Sequence, residues 1–143
     1  DLTSVINPKN NSIERDKTEE LILKSAKKRR LPVLGICRGL QMINHFLGGK
    51  LVPVKNHINV MHSIKFKYTN ELIIKRYVNS FHAWGINNYS LAKDLIPIAW
   101  DLENNIEGFK HKEMDWFGLM WHPERMEKFE DQDKAIFKNL FKR

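Results

Sequence analysis

The fold is decided by residues 33–47, which read VLGICRGLQMINHFL. The first four form a short apolar run without alternation, which is typical of a strand covered on both faces in a parallel sheet. We therefore expect this strand to be central, and Pro32 to end the helix before it. Beyond Cys37, apolar residues recur at helical spacing until Gly48 and Gly49, the usual residues for closing a helix. The stretch predicts a strand, a tight turn and a helix in direct succession.

The segments on either side predict further helices and strands. Asp16 and Glu19 resemble a capping box, and an apolar stripe that includes Leu21, Ile22 and Ala26 predicts a helix over residues 16–29. Residues 1–14 read as a loop. Strands are expected near residues 50–54, 64–68, 77–78, 95–100 and 115–121, and a closing helix carries Ile136, Phe137, Leu140 and Phe141. This alternation, without a linker or repeat, predicts a single α/β domain over residues 1–143.

Pro97 interrupts the strand predicted over residues 95–100. Proline has no N–H to donate to a sheet, so we expect this strand to lie at an edge of the sheet or at a bulge. Residues 105–110 are expected to pair with it.

The composition is that of a globular domain, with 143 residues, of which 42% are hydrophobic and 29% charged. Apolar runs such as residues 34–37 and 119–121 are far shorter than the roughly 18 residues that span a bilayer, so we expect no membrane insertion. Cys37 is the single cysteine and cannot form an internal disulfide, which favours a reducing, cytoplasmic setting.

The chain is basic, with 24 Lys and Arg residues against 17 Asp and Glu residues and a net charge of +7. Such an excess attracts anions in general. The basic residues are scattered except in residues 27–30, which end a predicted helix where cations complement the helix dipole. We find no nucleic-acid-binding motif and expect no nucleic-acid partner. The charge is compatible with a small phosphorylated substrate.

Residues 35–39, Gly-Ile-Cys-Arg-Gly, lie where the predicted strand turns into the helix, which is the geometry of a nucleophile elbow. Gly35 and Gly39 have no Cβ and are expected to give the clearance that this bend requires. The Cys37 thiol would point at the positive end of the helix, which favours the thiolate, and the Arg38 N–H would be placed to stabilise an oxyanion. Lone cysteines are more often small buried hydrophobes. The two glycines favour the nucleophile.

A second motif, His122-Pro123-Glu124, directly follows the strand predicted over residues 115–121. Its imidazole would therefore emerge at the carboxyl end of that strand, as Cys37 does from its own strand. In open α/β sheets this edge is where ligands bind. If the extended backbone continues, His122 and Glu124 lie on one face, and the carboxylate can orient the ring.

Together the two motifs resemble those of the class I glutamine amidotransferases, which carry the catalytic cysteine in a G-x-C-x-G elbow and the catalytic His and Glu in an H-P-E segment. Residues 35–41, with Asn44 and residues 47–49, are similar to the γ-glutamyl hydrolase (peptidase C26) branch, which includes γ-glutamyl-γ-aminobutyrate hydrolase. Arg15-Asp16 and residues 78–82 fit the same branch. The resemblance implies a flavodoxin-like three-layer sandwich with a mainly parallel central sheet.

The resemblance also implies roles for individual residues. Cys37 would be the nucleophile, His122 the general base and acid, and Glu124 its orienting partner. The backbone N–H of Arg38 would be one oxyanion donor. The pocket for the glutamyl group would be formed by Gln41, Ser80, Phe81 and His82.

Three departures from the family pattern bear on these roles. The family has further strands and a glycine-rich oxyanion loop upstream of the helix at residues 16–29, so we expect this chain to correspond to the C-terminal part of the family's domain. The segment between Tyr68 and Tyr77 looks shortened. Trp84 stands where relatives often carry Gln, and we interpret it as a wall of the pocket that could stack on a nucleobase.

The resemblance implies a hydrolase that cleaves a small γ-glutamyl amide through a thioester, without a cofactor. We favour γ-glutamyl-CDP-amidate, the substrate of small hydrolases in capsule phosphoramidate synthesis. The alternatives are γ-glutamyl-γ-aminobutyrate, a glutaminase subunit that passes ammonia to a synthase partner, and a non-catalytic binding module that leaves Cys37 unreactive toward iodoacetamide at neutral pH. No metal site is expected, because no metal-ligand spacing connects the remaining histidines, which are His45, His57, His62, His82 and His111.

Overall fold

The computed structural model describes residues 13–67 and 72–142. The helices in this part of the chain are α1 (Ile13–Arg29), α2 (Arg38–Phe46) and α3 (Asp131–Leu140), with a 3-10 turn at Pro123–Arg125. The strands are β1 (Val33–Ile36), β2 (Val52–Pro53), β3 (Ile58–Lys67), β4 (Ile73–Phe81), β5 (Trp84–Gly85), β6 (Leu95–Asp101), β7 (Ile106–His111) and β8 (Trp116–Leu119). No helix among the described residues is long and apolar enough to cross a membrane.

The main sheet has six strands in the order β1-β8-β7-β6-β3-β4, and β2 pairs with β5 in a separate two-stranded sheet. Only β1 and β8 run parallel within the described residues. The remaining pairs are antiparallel. Among them, β6 and β7 are only a few residues apart, which is too short for a parallel crossover. The sheet is therefore mixed, whereas the resemblance implied a mainly parallel one.

The position of β1 differs from our expectation. We expected a central strand, but β1 lies at one end of the sheet formed by the described residues. Its apolar run is explained by the layers on both sides, because α1 and α2 cover one face while Leu34 and Ile36 pack into the core of the other.

Pro97 lies at a bulge, one of the two positions predicted for it. β6 is an interior strand between β7 and β3, and its register with β7 shifts between Pro97 and Ala99. The bulge accommodates a residue that cannot donate a ladder hydrogen bond. The predicted pairing of residues 105–110 with this strand is confirmed.

Helices cover both faces of the sheet, which confirms the predicted α/β class with three layers. Leu23 of α1 and Leu40 and Ile43 of α2 join the core on one face, and Ile136 of α3 packs against the core on the other. The predicted stripe of α1 is partly wrong, because Leu21 and Ile22 are exposed and Leu23 is buried with Ala26.

Two predicted elements are not fully covered by the described residues. α1 begins at Ile13, so residues 13 and 14 are helical rather than loop. The rest of the predicted loop over residues 1–14 and the end of the strand at Tyr68 lie outside the described residues. The shortening between Tyr68 and Tyr77 stays a prediction.

Candidate active site

Cys37 occupies the bend between β1 and α2. Its backbone has φ 51° and ψ −99°, a combination that is rare outside glycine and stores local strain. The Cys37 N–H donates to the Leu119 carbonyl at 2.7 Å, and the Cys37 carbonyl accepts from the Gln41 N–H at 3.1 Å. Strand β8 and helix α2 thus hold the strand-to-helix bend that the sequence predicted.

The two glycines beside this bend have unequal roles. A Cβ added to Gly35 would lie 2.5 Å from the backbone carbon of Gly39 and 2.7 Å from Cδ1 of Ile43, so no other residue fits at position 35 without a shift. A Cβ added to Gly39 would meet no described atom within 4 Å. The prediction that both glycines provide clearance therefore holds for Gly35 and is wrong for Gly39.

The Cys37 side chain is buried, with 9% of its surface exposed. Burial raises the pKa of the Cys37 thiol to about 11, although the Arg38 backbone N–H and the Arg125 charge act to lower it. The negative charges of Glu107 and Glu124 add to the increase. Desolvation thus acts against the stabilisation of the thiolate that we expected from the helix N-terminus, and it raises the pKa of Cys37 overall.

The Arg38 side chain turns away from the bend toward α1. Its guanidinium contacts the Asp16 carboxylate, and its Nε lies 3.7 Å from Glu19 Oε2. The contact between Asp16 and Arg38 explains why these two residues, which belong to separate parts of the family resemblance, occur together. Only the backbone of Arg38 is left for the predicted oxyanion contact.

His122 and Glu124 form the predicted pair. His122 Nδ1 lies 2.6 Å from Glu124 Oε1, with 15% of the His122 side chain and 56% of the Glu124 side chain exposed. The backbone does not continue in the extended form, because Pro123–Arg125 makes a 3-10 turn closed by an Arg125 N–H bond to the His122 carbonyl at 3.1 Å. The turn, rather than a strand, brings the carboxylate to the ring.

Asn79 and Phe81 of β4 fix the position of His122. The His122 N–H donates to Asn79 Oδ1 at 2.7 Å, and Asn79 Nδ2 donates to the His122 carbonyl at 2.8 Å. The Phe81 ring lies 5.7 Å from the imidazole in an edge-on arrangement, and the Arg125 guanidinium lies over the Phe81 ring at 4.8 Å. The sequence placed Asn79 in the segment 78–82 that fits the family resemblance but gave it no role, because its partner His122 lies 43 residues away in the chain.

The residues predicted as catalytic follow two adjacent parallel strands. The Cys37 N–H bond to Leu119 extends the β1·β8 ladder by one residue, and His122 lies three residues beyond Leu119. Both segments thus leave the sheet at the same carboxyl edge, where open α/β sheets bind ligands.

Most of the residues predicted to bind the glutamyl group are engaged in internal hydrogen bonds. Gln41 Nε2 donates to the Trp84 carbonyl at 2.9 Å, and His82 Nδ1 donates to the same oxygen at 2.8 Å. The Ser80 hydroxyl donates to the His57 carbonyl at 2.7 Å and is fully buried. Phe81 and Trp84 are partly exposed. Binding of the glutamyl group by Gln41, Ser80, Phe81 and His82 stays a prediction, as does the role of Trp84 as a pocket wall.

A second group of polar side chains lies in the interior, and we call it the histidine–carboxylate cluster. Glu107 of β7, 1% exposed, is surrounded by three imidazoles whose Nε2 atoms lie 3.5 to 3.7 Å from its oxygens. The cluster consists of His57, His62, His82, Asp101 and Glu107. The ligand atoms of its members other than His82 all lie within 4.8 Å of one another, which suits a metal ion.

The charges in this cluster influence one another strongly. Interaction with Glu107, together with the Lys55 carbonyl and Asp101, raises the pKa of His57 to about 9 against the effect of burial. Burial lowers the pKa of His62. Burial also acts to raise the pKa of Glu107, but the neighbouring His57 and His82 outweigh it and hold that pKa below its usual value.

Sequence analysis missed this cluster because its members share no local spacing. Three of them come from β3, β6 and β7, and His57 and His82 flank β3 and β4. Motifs for metal ligands usually place two ligands a few residues apart, as on one helix. The absence of such a motif therefore does not exclude a site whose ligands come from different strands. The signal in the sequence was an acidic residue in each of two apolar strands, Asp101 in β6 and Glu107 in β7.

Comparison with known proteins identifies relatives of this chain. The family model for peptidase C26 matches residues 4–124. The γ-glutamyl-CDP-amidate hydrolase of Campylobacter jejuni is 40% identical over 114 residues, which cover 80% of this chain and 53% of that protein. A glutamine-hydrolysing GMP synthase subunit from Methanococcus vannielii is 36% identical over 98 residues, which cover 66% of this chain and 51% of that protein. The chain spans about half the length of these curated relatives.

Solved structures share the fold. The crystal structure of a glutamine amidotransferase from Thermotoga maritima superposes with a TM-score of 0.64 at 21% identity, covering 86% of this chain and 54% of that chain. This likeness confirms the flavodoxin-like α/β fold.

Proposed function

Because this chain belongs to the peptidase C26 family, we propose that it is a cysteine-dependent hydrolase that cleaves the γ-glutamyl amide bond of a small metabolite. One observation carries the proposal. The bend at Cys37 and the paired side chains of His122 and Glu124 follow adjacent parallel strands at one edge of the sheet. A thiol, an imidazole and a carboxylate are the groups that nucleophilic cleavage of an amide requires.

In the first half of the proposed reaction, Cys37 Sγ attacks the γ-carbonyl carbon while His122 accepts the thiol proton. A base is needed at this moment because burial keeps the thiol protonated in the free protein. The new S–C bond creates a tetrahedral oxyanion, which the Arg38 backbone N–H stabilises. His122 then gives its proton to the amide nitrogen as the C–N bond breaks, which leaves a thioester.

In the second half, water attacks the thioester carbon while His122 accepts a proton from it. The C–S bond breaks, His122 returns the proton to sulfur, and glutamate is released. Glu124 accepts a hydrogen bond from the His122 Nδ1–H and balances the positive charge of the imidazolium. These steps require no cofactor. We also propose a cytoplasmic setting, because the thiol must stay reduced to act.

The glutamyl group would lie against the segment that contains Ser80, Phe81 and His82. Phe81 would contact the substrate, a role supported by its ring contact with His122 and its partial exposure. Gln41, Ser80 and His82 would act by holding backbone carbonyls in place, since their polar atoms are used in that way.

For the leaving group, we propose a cytidine diphosphate amidate. The proposal is supported by the 40% identity to the γ-glutamyl-CDP-amidate hydrolase of Campylobacter jejuni. The partly exposed Trp84 could stack on a nucleobase, a contact worth roughly 1–3 kcal/mol. The net charge of +7 would favour a diphosphate over a neutral leaving group.

The test is to compare glutamate release from γ-glutamyl-CDP-amidate and from γ-glutamyl-γ-aminobutyrate by the full-length protein. We expect a higher kcat/KM for the nucleotide substrate. Faster turnover of the aminobutyrate compound would reject the nucleotide proposal and leave the γ-glutamyl hydrolase proposal intact.

Variants of the three proposed catalytic residues test the mechanism. Cys37→Ala and His122→Ala are expected to lower kcat by about 10⁵-fold or more, with Glu124→Gln giving a loss about 10- to 100-fold smaller because this residue only orients the ring. Circular dichroism should show folded protein for all three. Retained turnover in folded Cys37→Ala would remove the cysteine mechanism.

A second candidate is a glutaminase subunit that supplies ammonia to a synthase. The 36% identity to the glutamine-hydrolysing GMP synthase subunit from Methanococcus vannielii favours it. Ammonia release from free L-glutamine distinguishes the two functions. If L-glutamine is consumed faster than either γ-glutamyl amide, the glutaminase function is supported, and if no substrate is consumed by folded protein, the chain is a binding module.

A further inference from the structure

The histidine–carboxylate cluster contains buried polar atoms that have no hydrogen-bond partner. Both carboxylate oxygens of Glu107, the Nε2 atom of His62 and the Nε2 atom of His82 are inaccessible to solvent and unpaired among the described residues. Buried polar atoms usually have hydrogen-bond partners, so four such atoms without one at a single place need an explanation. These four atoms belong to side chains that point at one another. The arrangement therefore calls for an occupant between them.

The distances within the cluster fit a shared ion better than hydrogen bonds. Nε2 of His57 and Nε2 of His82 lie 3.5 and 3.7 Å from Glu107 Oε1, and Nε2 of His62 lies 3.6 Å from Oε2. Hydrogen bonds between nitrogen and oxygen are about 2.7–3.2 Å long. Two ligands of one tetrahedral ion with bonds of about 2.0–2.1 Å are about 3.4 Å apart.

The proton positions on two of the rings lead to the same conclusion. Nδ1 of His82 lies 2.8 Å from the Trp84 carbonyl, and Nδ1 of His57 contacts the Lys55 carbonyl. A carbonyl oxygen only accepts hydrogen bonds, so in each ring Nδ1 carries a proton. Once a ring carries no second proton, the lone pair of its Nε2 atom is available to bind a metal ion. An Nδ1–H bond to a backbone carbonyl is the usual outer contact of a metal-bound histidine.

We propose that His57, His62 and Glu107, whose ligand atoms lie within 4.8 Å of one another, form a buried binding site for one divalent transition-metal ion of the zinc class, with His82 beside Glu107 as the fourth side chain. Three imidazole nitrogens and one carboxylate oxygen are a typical donor set for Zn²⁺, and Co²⁺ accepts the same set. The ion would join the segments before β3 and after β4 to β3 and β7, and so stabilise the wall of the sheet behind the candidate active site. The proposal goes beyond the proposed hydrolase activity, although His82 belongs both to this cluster and to the proposed glutamyl pocket.

Asp101 would contact the ligand His57 and not the metal ion itself. Its Oδ2 lies 2.7 Å from His57 Nε2, and its two oxygens also accept hydrogen bonds from the Glu103 and Asn105 backbones and the Asn105 amide. Without the ion, a second proton on His57 satisfies the 2.7 Å contact. Binding of the ion displaces that proton, so uptake of metal releases a proton to the solvent.

The experiment uses full-length protein stripped of metal with a chelator and then titrated with Zn²⁺ and, separately, Co²⁺. We expect about one ion per chain by calorimetry and elemental analysis, a higher Tm with Zn²⁺, and the visible absorption of tetrahedral Co²⁺. His62→Gln is expected to weaken the affinity at least about 100-fold, and Asp101→Asn about 10- to 100-fold.

The matched control is His45→Ala, which removes an exposed histidine of α2 outside the cluster and should bind as the unaltered protein does. Glu107→Gln is expected to weaken metal binding as well. If this variant does not fold, His62→Gln with a normal circular dichroism spectrum still tests whether the cluster binds metal. Absence of stoichiometric binding, or equal affinity of His62→Gln and His45→Ala, would overturn the proposal. Because metal content and Tm are the readouts, an inactive enzyme leaves this test unaffected.

Discussion

At the scale of single residues, Cys37 has a strained backbone and a buried side chain, and the two features act on different properties. The backbone conformation positions the sulfur, whereas burial sets its protonation state and raises its pKa to about 11. In the free protein the thiol is therefore the dominant form at neutral pH. If Cys37 acts as the proposed nucleophile, we expect substrate binding to supply the conditions for its deprotonation.

The first prediction is that alkylation of Cys37 by iodoacetamide rises with pH without a plateau until about pH 11. Only the thiolate reacts, and with a pKa near 11 it makes up on the order of one part in 10⁴ at pH 7. The measurement is the rate of labelling by mass spectrometry between pH 6 and 11, with Cys37→Ala as the unlabelled control.

A plateau of fast labelling between pH 6 and 8 would contradict this prediction, because it would indicate an ion pair with His122 in the free protein. Slow labelling at neutral pH has a further meaning. It is expected of the enzyme as well as of a binding module, so lack of reaction with iodoacetamide does not distinguish the two functions.

At the scale of elements, the turn from β1 to α2 depends on one glycine. The missing side chain of Gly35 allows the first turn of α2 to approach β1, since a Cβ there would overlap the Gly39 backbone. Glycine at position 39 has no such neighbour among the described residues. The two positions therefore form a natural pair for comparison.

The second prediction is that Gly35→Ala lowers the free energy of unfolding by about 1–3 kcal/mol or more, because α2 must move to admit the methyl group. Gly39→Ala is expected to change it by less than about 1 kcal/mol, or to stabilise the helix. Urea denaturation measures both. If both substitutions change the free energy of unfolding equally, the close approach of α2 to β1 does not depend on glycine at position 35.

A buried ion pair fastens α3 to the sheet. Arg76 of β4 makes two parallel bonds of 2.9 and 3.0 Å with Asp133, and the Trp121 indole N–H donates to the same carboxylate at 3.2 Å. The Asp133 side chain is completely buried, and the Arg76 guanidinium also lies 5.2 Å from the Trp121 ring. The docking of α3 thus depends on paired charges as well as on its apolar stripe.

The third prediction is that Arg76→Ala or Asp133→Ala lowers the free energy of unfolding by about 3–5 kcal/mol, because each leaves a buried charge without its partner. Replacing both, as Arg76→Met with Asp133→Leu, is expected to cost less than the sum of the single changes. Single losses below about 1 kcal/mol, measured by urea denaturation, would contradict the role of this pair.

At the scale of the whole molecule, sequence patterns succeeded where neighbours along the chain determine the outcome. The helix of residues 16–29, the bend at Cys37 and the bulge at Pro97 follow from local spacing and from the missing N–H of proline. The pairing of His122 with Glu124 was predicted correctly, but by an extended backbone where the structure has a 3-10 turn.

The failures concern properties that arise only when distant segments meet. The sequence did not reveal strand direction, so it did not predict that four of the five strand pairs described in the main sheet are antiparallel. The pKa of Cys37 depends on how deeply the folded protein buries it, and burial cannot be read from a sequence motif. Asn79 and the histidine–carboxylate cluster escaped notice because their partners lie on other strands.

The parallel ladder between β1 and β8 has a consequence for how the proposed activity would arise during folding. It joins residues 33–36 to residues 116–119, about 80 positions later in the chain, and parallel pairing of such high contact order is slow to form. The β1–α2 turn can form from local interactions, whereas His122 arrives only when the last strand docks. Turnover should therefore appear late in refolding, after most of the helical signal has returned.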